Sequence, residues 1–152
     1  RGIECFKGNM DDYNDIKDKW KDFWPQRGNS MNWDGVFKIG DIWFFVEAKA
    51  HREESFQRCC ASSESSFKII RKSLQKTQEE LTGYSTVDWI NTNCYQLANR
   101  LAFIYFCKVM NGGHQRLAGL APVCIEVDYY RQFRSGFFCE ILFLLLKHWK
   151  SL

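Results

Sequence analysis

Apolar residues early in the chain recur at the spacing of a helix and then switch to the spacing of a strand. Tyr13, Ile16, Trp20 and Phe23 fall at three- and four-residue steps, one face of an amphipathic helix, and predict a helix over residues 11–24. Asp11 and Asp12 at its start suit the positive end of the helix dipole. Pro25 ends it, because the residue before a proline is forced out of the helical region. A polar stretch with Gly28, Asn29 and Ser30 reads as a loop. Beyond it, residues 33–39 and 42–49 predict two strands joined at Gly40-Asp41, a good hairpin signal. In the second strand Trp43, Phe45, Glu47 and Lys49 share one face, with Ile42, Phe44, Val46 and Ala48 on the other. Both faces are apolar over most of its length, the pattern of a central strand covered on both sides.

The helical period returns after a small polar stretch at residues 62–66 and predicts a second helix over 67–81, with Phe67, Ile70, Leu74 and Leu81 facing the core and Gly83 at the C-cap. Lys68, Lys72 and Lys76, joined by Arg71, form a basic stripe on another side. A third helix starts at Val87 or at Cys94, reaches Met110 and is stopped by Gly112-Gly113; its apolar stripe is Cys94, Leu97, Ala98, Leu101, Ala102, Tyr105 and Val109. Residues 123–127 predict a further strand and 137–149 a final helix. No internal repeat or low-complexity segment interrupts the pattern.

At 152 residues this is one α/β domain, large enough to bury a core without a metal or disulfide staple. A formal charge of +3 neither demands nor excludes nucleic acid, because a local basic patch matters more than the total. Seven cysteines raise the possibility of a secreted disulfide scaffold. Against it stand the odd count, the large core and an opening that does not resemble a signal peptide, so reduced, mostly buried thiols in a cytoplasmic protein are expected. No Cys-x-x-Cys pair is present to start a zinc site, and His51 and His114 stand alone in sequence. The run from Phe137 to Leu146 is broken by Glu140 and falls short of the roughly 20 residues that span a bilayer, so no membrane partner is expected.

One constellation carries chemistry. Glu47 and Lys49 close the second strand on one face, about 7 Å apart. A tight hairpin brings Asp34, at the opening of the first strand, opposite one of them. Two carboxylates at one sheet end, with the backbone carbonyl of Ala48, make a hard-oxygen site suited to Mg²⁺ or Mn²⁺. Such a metal activates water and polarises a phosphodiester. Lys49 beside it orients or deprotonates the attacking water and offsets charge building on phosphorus. The bland alternative is an ion pair between Lys49 and Asp34.

The segment Trp33-Asp34-Gly35-Val36 followed by Val46-Glu47-Ala48-Lys49-Ala50-His51 resembles the signature of PD-(D/E)XK nucleases. It is similar to a group of uncharacterised bacterial members with a Trp-Pro-x-x-Gly-Asn loop ahead of Asn-Trp-Asp. Trp24-Pro25-Gln26-Arg27-Gly28-Asn29 and Asn32-Trp33-Asp34 match that pattern, and Tyr95-Gln96-Leu97-Ala98-Asn99-Arg100-Leu101 also resembles those proteins. The resemblance covers about residues 20–110 and ends before Gly119. It implies a restriction-endonuclease-like mixed β-sheet flanked by α-helices, a divalent cation on Asp34 and Glu47, and hydrolysis of phosphodiesters, with DNA as the substrate the family favours. Many members carry a further acid on the first helix. Here Asp15, Asp18 and Asp22 share one face, and the sequence does not choose among them.

Three further sets stand beside this centre, each with a plainer reading. If the strand persists, His51 continues the Glu47–Lys49 face and meets a phosphate or a metal-bound water; the plainer reading is a surface histidine at a strand end. Gln96, Asn99 and Arg100 form a polar patch at the start of an otherwise apolar helix, with Arg100 either a bidentate phosphate clamp or part of a helix-surface or core hydrogen-bond network. The Lys68/Arg71/Lys72/Lys76 stripe either tracks a nucleic-acid backbone or is a solvated helix face. The rival to the enzyme is a non-catalytic module on the same fold that binds nucleic acid or protein.

Overall fold

The computed structural model describes residues 3–4, 7, 13–27, 31–39, 42–49, 57–85, 87–93, 95–110, 116–117 and 121–124, with the backbone alone at Ile42, Ala48, Lys49, Met110 and residues 116–117 and 121–124. The Gly40-Asp41 turn, His51, Cys94, the Gly112-Gly113 stop and the helix expected at 137–149 lie outside them.

Helix α1 (Tyr13–Phe23) buries Ile16 and Trp20, as its periodicity requires. The Trp24 amide still donates to the Trp20 carbonyl at 2.8 Å before Pro25 breaks the ladder. Strands β1 (Gly35–Ile39) and β2 (Ile42–Lys49) pair antiparallel, from Gly35 opposite Val46 to Ile39 opposite Ile42. The first strand starts two residues later than its alternation predicts. Trp33 turns into the aromatic core instead, and Asp34 sits at a bend just outside the ladder.

On its other edge β2 pairs in parallel with β3 (Arg116–Leu117) and β4 (Ala121–Cys124), so it is the central strand of a four-stranded sheet. Parallel pairing needs a long crossover, and the two longest helices lie in the segment between β2 and β3. The register slips once along this edge. Trp43 faces Leu117 of β3, and three residues on Val46 faces Ala121 of β4, four residues on. Strand β4 begins two residues ahead of the expected position, and residues 125–127 lie outside the described set.

Helix α2 (Glu64–Thr82) begins three residues before the apolar period does. Ser63 is the N-cap and its Oγ accepts from the Ser66 amide at 3.1 Å, which moves the helix start into the small polar stretch. Gly83 is the C-cap as expected, with φ 78, a conformation in which a Cβ is strained. The buried face carries Ile70 and Leu74 but also Ser73, Thr77 and Gln78. Ser73 donates to the Phe23 carbonyl, tying α2 to the end of α1, and Thr77 donates to the Ser73 carbonyl at 2.8 Å. In the orientation that satisfies both ends, the Gln78 amide donates to Ser85 Oγ and the Val87 carbonyl and accepts from Trp89 Nε1. Buried polar groups are tolerated there because each has a partner.

A 3₁₀ turn (Trp89–Asn91) buries Trp89 and Ile90 ahead of α3 (Tyr95–Met110), so the later of the two expected helix starts is close to the observed one. The third helix is not a simple stripe. Every residue from Leu101 to Cys107 is buried, whereas Val109, expected in the core, is 44% exposed. The reason is its position: α3 packs on both α1 and α2 and reaches β2 through Phe103 and Phe45. The core is aromatic, with Phe103 edge-on to Trp20, Trp33 and Phe45 at centroid distances of 5.6, 5.3 and 5.2 Å. Among the described residues no helix is long and apolar enough to cross a membrane.

Candidate functional site

The inward face of β2 runs Trp43, Phe45, Glu47, all buried. A carboxylate in that row must be compensated, since an isolated buried charge is heavily penalised. The compensation comes from the first two turns of α3. Gln96 and Arg100 are four residues apart, hence on one side of the helix, and both reach Glu47. Gln96 Nε2 donates to Oε1 at 2.8 Å and Arg100 Nε donates to Oε2 at 2.8 Å. The ion pair is nearly dry, with Glu47 9% and Arg100 7% exposed. The start of a helix also favours a neighbouring negative charge through its dipole.

Arg100 is fixed from two further directions. Its Nη1 donates to Asn99 Oδ1 at 3.2 Å, and its guanidinium lies 4.9 Å from the Trp33 ring centroid in a cation–π contact. Trp33 in turn packs on Phe45 and Phe103, so the platform under the arginine belongs to the core. Two buried polar atoms here, Gln96 Oε1 and Trp33 Nε1, have no hydrogen-bond partner among the described residues.

Asp34 stands at the rim and is exposed. The β1–β2 register, continued by one residue, sets it across from Glu47. Its amide donates instead to the carbonyl of Val46, the residue paired with Gly35, at 3.0 Å, so the chain leaves the ladder at this point. Ala48 and Lys49 follow on β2, their backbones paired with Val123 and Cys124 of β4. His51 lies outside the described residues. Asp15, Asp18 and Asp22 are all exposed on α1, with Asp15 paired to Lys19 and Asp18 to Lys21 at 2.6 Å. Among the described residues no group of three or more His, Cys, Asp or Glu is arranged to hold a metal.

The basic stripe of α2 is divided. Lys68 is paired with Glu64 at 2.6 Å on the open surface, where such a pair contributes little. Arg71 is drawn out of the stripe: it pairs with Asp88 at 3.2 Å and its guanidinium lies 4.9 Å from the Phe67 ring. Lys72 and Lys76 are exposed.

At the start of α3, burial pushes the Tyr95 hydroxyl well above the ordinary tyrosine range, and the neighbouring Cys59 thiol adds to the shift. Cys59, Cys60 and Cys107 form no disulfide. Of these three Cys107 is buried, Cys59 half-buried and Cys60 exposed, and the other four thiols lie outside the described side chains.

The pattern of the sequence singled out Glu47, Gln96, Asn99 and Arg100 but did not join them. It missed Trp33 as the platform for Arg100, and no local signal marks that role. No family model matches this chain, no curated protein matches it, and no solved structure matches it.

Proposed function

We propose that the chain is a metal-dependent nuclease domain of the PD-(D/E)XK kind, hydrolysing phosphodiester bonds in DNA, with Asp34, Glu47 and Lys49 as its reactive centre. The observation that carries this reading is the buried carboxylate of Glu47 near the end of the central strand, fixed by two side chains of α3 beside a bend that holds Asp34. A purely structural acid has little reason to occupy the row of Trp43 and Phe45.

A hard divalent cation would have to share Glu47 with Gln96 and Arg100, and among the described residues no group of three or more His, Cys, Asp or Glu is arranged to hold one. Gln96 and Arg100 each bond one oxygen of Glu47. Gln96 Oε1 is a buried oxygen without a donor among the described residues. Asp34, Glu47 and the Ala48 carbonyl would together make an all-oxygen set of the type that Mg²⁺ and Mn²⁺ prefer. Such a cation supplies charge stabilisation on a phosphodiester and makes water a nucleophile at neutral pH. Lys49 takes or steers the proton of the attacking water and balances negative charge at phosphorus. His51 and one acid of α1 assist, and the strand is held by Lys72 and Lys76, with Lys68 and Arg71 secondary because both are paired. A cytoplasmic location accords with Cys59, Cys60 and Cys107 forming no disulfide.

One observation favours the rival, a non-catalytic module that binds nucleic acid or protein: both oxygens of Glu47 are already engaged by the protein itself. Cleavage of single-stranded, duplex and branched DNA, with and without Mg²⁺, separates the two. Metal-dependent cleavage lost in Lys49→Ala supports the nuclease. Salt-sensitive binding without cleavage supports the module.

A further inference from the structure

We infer that the sheet face turned away from the helices is a docking surface, and that its occupant is the apolar stretch at residues 137–149 of this same chain. The inference does not rest on the nuclease reading, since it concerns the back of the strand that carries Glu47.

Paired residues of an antiparallel ladder put their side chains on the same face, so the β1–β2 register sorts the sheet into two rows. One row holds Val36, Trp43 and Phe45 and packs against the helices, with the Phe45 ring 5.2 Å from that of Phe103. The other row holds Phe37, Ile39, Phe44 and Val46. Phe37 and Phe44 stack on each other at 4.9 Å and an interplanar angle of 7°. None of these four belongs to the core that the helices cover, and Phe37 is 46% and Ile39 62% exposed. A strand with parallel neighbours is normally covered on both faces, and an apolar row left to water marks an interaction site.

Pattern, size and position name the occupant. Read at the helical period, Phe138, Leu142, Leu145 and Trp149 fall on one side of the stretch, with Glu140, Leu144 and Lys147 on the opposite side. A helix of that length is marginal in water by itself and needs an apolar surface to lie on. It would measure about 20 Å in length and about 10 Å across. The eight residues of β2 span about 26 Å and neighbouring strands lie about 5 Å apart, so one such helix covers β1 and β2 together. Strand β4 pairs with β2, and residues 125–136 beyond it reach up to about 40 Å when extended, enough to carry the chain round the sheet to its back. A tethered segment also meets the sheet at an effective concentration in about the millimolar range. A second copy of the chain at micromolar concentration does not compete with that.

The test is a photocrosslink in the full chain. Benzoylphenylalanine is placed at Ile39, the most exposed position of the row, and irradiated at low micromolar protein concentration. The products are digested and mapped by mass spectrometry. The expected product is a monomer in which position 39 is joined to a peptide from residues 137–149. A crosslink between two copies would make this face a self-association surface and overturn the inference, as would a monomer with no crosslink to that peptide. Stability gives a second reading. Leu142→Asp should lower the melting temperature by about 10 °C, and Leu144→Asp, on the opposite side, by no more than about 2 °C. The losses from Phe44→Ala and Leu142→Ala should combine to less than their sum, as they do for residues in contact. Strictly additive losses, or equal effects of the two aspartate substitutions, overturn the contact.

Discussion

Arg100 Nε meets Glu47 Oε2 at 2.8 Å across 53 positions of sequence, and both side chains are almost fully removed from water. A pair of this kind contributes little over an apolar replacement but is costly to break by halves.

Arg100→Ala should therefore destabilise the fold by about 3–5 kcal/mol, since it strands a buried carboxylate. Glu47→Gln should cost less, because the amide can still accept from one partner. The double variant Glu47→Gln/Arg100→Met should lose less than the sum of its parts, the signature of direct coupling. Urea unfolding followed by tryptophan fluorescence measures all three.

Lys49→Ala should reduce DNA cleavage in Mg²⁺ by about a hundred- to a thousand-fold, the effect of removing one group that stabilises developing charge. Asp34→Asn should act through cation affinity and recover in part with excess Mn²⁺. Equal rates for Lys49→Ala and wild type in a single-turnover cleavage assay would remove Lys49 from the mechanism.

Lys72→Ala with Lys76→Ala should weaken DNA binding and lower its salt dependence by about two phosphate contacts. Arg71→Ala should instead lower stability, because it loses Asp88 and the Phe67 ring. Binding measured over a series of salt concentrations, beside a melting curve for each variant, distinguishes the two kinds of lysine and arginine.

Burial raises the hydroxyls of both Tyr95 and Tyr105, so both should ionise above the ordinary tyrosine range in an absorbance titration. The sign for stability follows. A raised native value contributes stability that is complete below the unfolded tyrosine pKa of about 10 and is lost as pH rises beyond it. Tyr95→Phe should flatten that alkaline loss.

All seven cysteines should react with a thiol reagent under denaturing, non-reducing conditions. Of Cys59, Cys60 and Cys107 in the native protein, Cys60 should react first and Cys107 last, following their exposure. Recovery of a single thiol from the denatured chain would mean three disulfides and an oxidising compartment.

What could be read from the chain was whatever local period encodes. The alternation of Ile42 to Lys49, apolar on both faces, marked a strand with neighbours on both edges, and β1 and the β3/β4 edge supply them. The spacing of Ile16 and Trp20 marked α1. The start of α2 was misplaced because its cap, Ser63, is a polar residue in a polar stretch, and only the Oγ-to-amide bond identifies it. Val109 was assigned to the core because its period fits, but it falls in the last turn of α3, beyond the neighbours that bury Leu101 to Cys107. Within the candidate site, Glu47 and Arg100 were each visible as charges in apolar surroundings. Their meeting is a tertiary event that neither element's periodicity contains.

The Trp33 ring, shared between Arg100 on one side and Phe45 and Phe103 on the other, has a kinetic consequence. A ring common to the charged cluster and the apolar interior ties the two into one cooperative opening unit. Amides around Gln96 to Arg100 should exchange with solvent at the rate of the central core rather than at the faster rate of a rim. Substitutions deep in the interior, Phe103→Leu for example, will then loosen the arginine without touching it, so the interior and the carboxylate cannot drift independently over evolutionary time.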